Sequence, residues 1–236
     1  MLISHTHKFI FIHIYKTAGM SIRNEFVPYS RLIDRLAYEY GISKKVYWKI
    51  IHLMGWVGNG MKQFTGYHKH SKAWEVKEKL GSNIFDSYYK FSFVRNPFDL
   101  TVSQYFFILQ IKKLDTHKKV SRMNFSEYLK WHLSRNPPLQ IDFLMNRSRD
   151  RRLVDYIGRF ETLVKDVDII KKNLNLEVTG STEHRNPSIK RQSKSYKDYY
   201  DNESKNLLFD YFQQDFEMLG YNFDGFQENM RLIEQF

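Results

Sequence analysis

The chain has 236 residues, with 37 Lys and Arg against 26 Asp and Glu, a formal net charge of +11. Hydrophobic residues make up 42% and aromatic residues 17%, and 11 Gly with 5 Pro are too few for a collagen-like or low-complexity chain, so the length is that of one globular unit with a substantial core. Cysteine is absent, which excludes a disulfide scaffold, a thiolate zinc site and a cysteine nucleophile.

Residues 8–15 (KFIFIHIY) form an aromatic and β-branched run with one His inside it, read as a buried strand. It ends at Lys16-Thr17-Ala18-Gly19, after which Ile22 and Phe26, four apart, predict a helix that Pro28 stops. Residues 31–61 are weakly patterned. Residues 71–80 (SKAWEVKEKL) read as a short helix, with Ser71 as its N-cap and Gly81 as its stop. A second strand is predicted over 88–94 (YYKFSFV), then a helix over 98–109 that Pro97 opens. Further helices are expected at 125–133, 166–174 and 203–219, with a third strand at 152–157. Alternating strands and helices imply an α/β domain with a largely parallel sheet, whose ligands sit beyond the carboxyl ends of the strands. That rule points to residues 16–21 and to Arg95.

No apolar run approaches the roughly 18 to 20 residues that cross a membrane, and the first residues lack a signal-peptide pattern, so the sequence reads as a protein kept in a cytosol. The positive charge gathers in three clusters: Lys112, Lys113, Lys118, Lys119 and Arg122; Arg147, Arg149, Arg151 and Arg152; and Arg185, Lys190, Arg191, Lys194 and Lys197. Taken singly, each reads as a solvated face. No nucleic-acid reading element accompanies them, so nucleic acid is not an expected partner.

Three short motifs carry chemistry. Lys16-Thr17-Ala18-Gly19-Met20-Ser21 leaves a strand and enters a helix, where backbone N–H groups can cradle a phosphate or sulfate and the lysine adds a charge. A Walker A loop is excluded, because Ile10 and Tyr15 stand where its glycines belong. Arg95-Asn96-Pro97 places a guanidinium at a strand end and opens a helix carrying Ser103, a planar fork and a hydroxyl suited to a phosphate. In Tyr67-His68-Lys69-His70 the two histidines have no third ligand at metal spacing, so zinc is not expected and the pair reads either as a general base or as solvated loop histidines.

In this order the three motifs resemble those of the carbohydrate-type sulfotransferase family, which pairs a Lys-Thr-Ala/Gly-Gly-Thr-Ser loop with a Phe-Val-Arg-Asn-Pro-Phe/Tyr-Asp-Arg element. Residues 154–161, 184–199 and 209–221 are similar to the family's late strand, basic loop and closing helix, so the likeness covers nearly the whole chain and is weakest at 25–65. The resemblance implies one domain over 1–236 with a P-loop-like three-layer fold, residues 30–65 being a variable, acceptor-side insertion. It implies transfer of SO3 from 3′-phosphoadenosine-5′-phosphosulfate (PAPS) to a hydroxyl of an anionic carbohydrate, a polysaccharide or glycolipid. Lys16, Thr17, Ala18, Gly19, Met20 and Ser21 would hold the 5′-phosphosulfate, and Arg95 and Ser103 the 3′-phosphate.

His70 is assigned as general base and His68 as its helper, since His-x-His resembles the pattern of uronyl 2-O-sulfotransferases. Lys16 would stabilise charge on the leaving phosphate; Arg191 and Lys194 would fold over the donor or meet the acceptor. No metal is expected, because the leaving group is good and the protein supplies the cations. Met20 departs from the family's Thr or Ser, and Leu100 from its Arg. Relatives with a Golgi membrane anchor differ from this chain, which is expected to be a bacterial cytoplasmic enzyme. The rival readings are a nucleotide-dependent kinase-like enzyme, which the missing Walker A loop opposes, and a non-catalytic basic glycan- or nucleic-acid-binding relative, which has no need of His70.

Overall fold

The computed structural model describes residues 1–30, 68–178 and 195–227. Two strands open the chain, β1 (Leu2–Ser4) and β2 (Phe9–Ile12), followed by helix α1 (Gly19–Phe26). After residue 67 come α2 (Ala73–Leu80), α3 (Ser82–Ser87), β3 (Tyr89–Val94) and the long helix α4 (Pro97–Gln110). Helices α5 (His117–Val120), α6 (Phe125–Leu133) and α7 (Ile141–Leu144) lead to β4 (Tyr156–Arg159), α8 (Leu163–Asn173), α9 (Asn202–Tyr211) and α10 (Gln213–Leu219). The expected insertion at 30–65 lies, beyond Ser30, outside the described residues.

The four strands form one sheet in the order β1-β2-β3-β4, antiparallel at the β1 edge and parallel elsewhere. The expected α/β class with a mostly parallel sheet is therefore what the chain adopts. Successive side chains point to opposite faces, and because both faces are covered, β2 is apolar throughout. Phe9, Phe11, Phe91 and Phe93 pack on one face against Ile22 and Phe26 of α1 and Val167 and Ile170 of α8. On the other face, Ile10, Ile12 and Val94 meet Val76 and Leu80 of α2, Leu129 of α6 and Phe216 of α10. Burying each such side chain contributes roughly 1.5–3 kcal/mol, enough to fix both helical layers on the sheet.

The structure departs from the sequence reading in four places. The third strand is 156–159 rather than 152–157, because Leu153 N–H turns back to the Leu144 carbonyl and Asp155 is anchored to Lys90 before the ladder begins. Ser71 does not cap α2; its hydroxyl accepts from His68 N–H at 3.0 Å, and Glu75 instead caps Lys72 N–H at 2.9 Å. The helix expected over 203–219 is two helices broken at Phe212, which lets Asp215 point into the core. Strand β1, only three residues long, is too short to read as a pattern.

Candidate functional site

The carboxyl ends of β2 and β3, adjacent parallel strands, bring together two of the segments singled out above. Beyond Ile12 the chain passes through Lys16 (φ 64°) and Ala18 (φ 60°), both left-handed, before α1 starts at Gly19. Left-handed residues in such a turn aim successive N–H groups at one point, a concavity for an anion. Neither a side-chain cap nor an acidic residue occupies the first turn of α1, so the positive end of its dipole is not neutralised there. Thr17, fully buried, donates its hydroxyl to the Ile14 carbonyl at 2.8 Å and braces the loop. Met20 is half exposed, so what this position offers the concavity is its backbone N–H.

Lys16 is half buried, with Nζ 4.2 Å from the centre of the Phe107 ring on α4. Burial, and then the positive charge of Arg95, lower its pKa from 10.5 to about 8. Arg95, at the end of β3, reaches across: its guanidinium donates from Nη1 to the Lys16 carbonyl at 3.0 Å and from Nε to Asp99 at 2.5 Å, and lies 3.9 Å over the Phe160 ring. The Gln140 side chain clamps both backbone groups of Arg95, at 2.9 and 2.8 Å. Asp215 in turn accepts from Gln140 N–H and Ile141 N–H at 2.8 and 3.0 Å; complete burial raises its pKa to about 7.

Asn96 caps α4 by accepting from Phe98 N–H at 3.0 Å. Two turns into that helix, Ser103 is buried and its hydroxyl has no hydrogen-bond partner among the described residues. A buried hydroxyl left this way costs about 1–3 kcal/mol, an expense that a ligand phosphate would remove. Leu100 is buried as well, so its position offers no surface charge pair.

His70 sits in the turn before α2. A carbonyl can only accept, so the 2.9 Å contact between His70 Nδ1 and the His13 carbonyl places the ring proton on Nδ1 and leaves the Nε2 lone pair available. Burial lowers the His70 pKa to about 4, against the opposing pull of that hydrogen bond, so the ring is neutral near pH 7. Its centre lies 4.5 Å from that of His13 and 6.1 Å from that of Tyr15, which presents an edge. His68 is exposed, and its Nδ1 accepts from His70 N–H at 3.2 Å. The base candidate and the anion loop are thus joined through one residue, His13.

His13 is the member of the site that sequence reasoning missed. It is buried, stacked on Phe11 at 5.5 Å, and held to a pKa of about 2 chiefly by burial. A β-carbon added to Gly19 would fall 1.6 Å from His13 Nε2, so the loop glycine is required by that ring. The signal was the one polar residue in FIFIHI. Arg191 and Lys194 lie outside the described residues. Among the described residues no three His, Asp or Glu side chains converge as metal ligands, and no helix is long and apolar enough to cross a membrane.

Comparison with known proteins adds to this geometry. A family model described as the sulfotransferase family matches residues 1–222, which include every strand and helix named above. A protein of Archaeoglobus fulgidus described as uncharacterized is 34% identical over 107 residues, which is 44% of this chain and 82% of that protein.

Proposed function

The chain belongs to the sulfotransferase family, and we propose that it moves a sulfuryl group from PAPS to a hydroxyl of an anionic carbohydrate, polysaccharide or glycolipid, by in-line displacement. The observation that carries this reading is the hydrogen bond from His70 Nδ1 to the His13 carbonyl, which sets a neutral imidazole base beside a loop built to hold an anion. When bound, PAPS supplies a sulfuryl group attached to a phosphate that leaves readily.

The residues fit that donor. Backbone N–H groups of the Lys16–Ser21 turn and the start of α1 hold the 5′-phosphosulfate, and Lys16 Nζ meets the negative charge that grows on the leaving phosphate. Arg95 and the Ser103 hydroxyl hold the 3′-phosphate, with Gln140 fixing the Arg95 backbone and Asp99 keeping its guanidinium in place. His70 Nε2 takes the proton from the attacking hydroxyl, and His68 orients the acceptor from the exposed side of the same turn. Reaction requires hydroxyl, sulfur and leaving oxygen in line, so most of the catalytic effect comes from position.

The test is transfer of radiolabelled sulfuryl from PAPS to a panel of uronate-containing glycans. Wild type is expected to label at least one, and His70→Ala to lose roughly 10²–10⁴-fold in kcat while still binding 3′-phosphoadenosine-5′-phosphate. Equal transfer by His70→Ala would move the base elsewhere.

A further inference from the structure

Of the three cationic clusters in the sequence, the structure separates one from the others. In the second, Arg147 pairs with Glu78 and Arg149 with Asp142. In the third, the described Lys197 pairs with Asp224. In the first, Lys112, Lys113, Lys118, Lys119 and Arg122 are all exposed, and among the described residues none has a carboxylate within ion-pair distance. Five cations crowded into eleven residues repel one another, so the arrangement is unfavourable by itself and favourable to a polyanion.

The cluster has a shape as well as a charge. Lys118, Lys119, Arg122 and Met123 line an open cleft of ≈ 680 Å³ with Asp115 and Glu127. The Glu127 carboxylate is committed to capping Asn124 N–H at 2.9 Å. The cleft hangs on the helix that faces the donor loop: His117 donates to the Ile108 carbonyl at 2.9 Å, Tyr105 donates to the Met123 carbonyl at 2.9 Å, and Phe107 between them touches Lys16 Nζ. The helix that braces the cleft is thus the same one that touches Lys16.

We propose that this cleft docks the acceptor as a polymer, its Lys118, Lys119 and Arg122 pairing with successive acidic units of an anionic polysaccharide beyond the unit that is sulfated. The proposal rests on the transferase reading and narrows its acceptor from polysaccharide or glycolipid to polysaccharide. Chemistry at the cleft favours acidic sugars over the other polyanions. Among the described residues, the exposed large apolar side chains, Met20, Val164, Val178 and Phe209, all lie elsewhere, so the cleft lining offers a bilayer no exposed large apolar side chain. Base stacking needs an open aromatic face, whereas Lys119 and Arg135 lie over the Trp131 ring, 5.6 and 5.2 Å from its centre. What remains is charge pairing in a groove, which carboxylates spaced along a sugar chain satisfy.

The experiment is titration of the full chain with polygalacturonate, galacturonic acid, oligothymidylate and phosphatidylserine vesicles, at several salt concentrations. It is repeated on the triple variant Lys118→Gln/Lys119→Gln/Arg122→Gln, with 3′-phosphoadenosine-5′-phosphate as control. Polygalacturonate is expected to bind far more tightly than the monomer. The triple variant is expected to lose roughly tenfold or more at low salt and to show a log–log salt slope smaller by about two, with bisphosphate binding unchanged. An unchanged polymer affinity in the variant, or tighter binding of the oligonucleotide or the vesicles than of polygalacturonate, would overturn the proposal. Failure of wild type to bind the bisphosphate would instead overturn the transferase reading, and the polymer titration would still decide what the cleft binds.

Discussion

The His13 imidazole lies against Gly19 so closely that a β-carbon at position 19 would fall 1.6 Å from Nε2. This single contact ties the loop that opens α1 to the ring that neighbours His70 at 4.5 Å. Neither partner can yield easily, because His13 is also stacked on Phe11 and buried. Gly19→Ala is expected to destabilise the protein by about 3 kcal/mol and to abolish binding of the bisphosphate, with His13→Ala restoring part of the stability in the double variant. Thermal unfolding of the three variants checks this; equal melting of Gly19→Ala and wild type would contradict it.

The two perturbed groups set a pH window for catalysis. In the proposed mechanism His70 serves as a base only when neutral, above its pKa of about 4, and Lys16 stabilises the leaving phosphate only when charged, below its pKa of about 8. The profile of kcat/KM is therefore expected to rise through the first value and fall through the second, since that parameter reports the free enzyme. Lys16→Arg keeps the charge at all accessible pH values, so its basic limb is expected to vanish even where kcat falls. A basic limb that survives in Lys16→Arg would assign it to another group.

Arg95 and Ser103 should separate by magnitude. Arg95 also braces the loop through the Lys16 carbonyl, so Arg95→Ala is expected to weaken bisphosphate binding by about 3 kcal/mol or more and to lower the melting temperature. The Ser103 hydroxyl has no partner among the described residues, so Ser103→Ala is expected to weaken binding by about 1 kcal/mol while leaving the free protein as stable as wild type or more so. Calorimetric titration of both variants checks the pair. Unchanged affinity in Ser103→Ala would remove it from the site.

These residues show what the sequence made legible. Strand β2 is buried on both faces and appears as an unbroken apolar run, β3 sets Phe91, Phe93 and Val94 around Lys90 and Ser92, and α4 begins at Pro97, where the sequence opens a helix. The loop and Arg95 were visible because they follow those runs directly. The clamp on Arg95 was not, since Gln140 lies 45 residues downstream and is itself held by Asp215 from α10. His13 was hidden for another reason: within a strand its place in the alternation is that of a core residue, and only the fold shows that the core at that point is the floor of the site.

Acid sensitivity offers a prediction away from the site. His132, stacked on Tyr128 at 5.4 Å, has its pKa lowered to about 4, first by burial and then by Arg135. The unfolded chain takes up that proton near 6.5 and the folded one does not, so stability falls as pH drops from 6.5 toward 4. His13 and His70 act in the same direction. Asp215, raised to about 7, opposes them, because below that value the folded state binds a proton the unfolded chain releases. His132→Phe is expected to reduce proton uptake on unfolding by about one across that interval. Denaturant titrations at several pH values measure it, and an unchanged slope would contradict the burial of the ring.

The proposed reaction requires that the loop after β2 and the end of β3 together bind a PAPS-type nucleotide. Calorimetric titration of the full chain with 3′-phosphoadenosine-5′-phosphate, beside ATP with Mg²⁺, tests it most directly. Saturable one-to-one binding of the bisphosphate, a rise in melting temperature by mass action, and much weaker binding of ATP are expected. Preference for ATP with Mg²⁺, or no binding of either nucleotide, would contradict it.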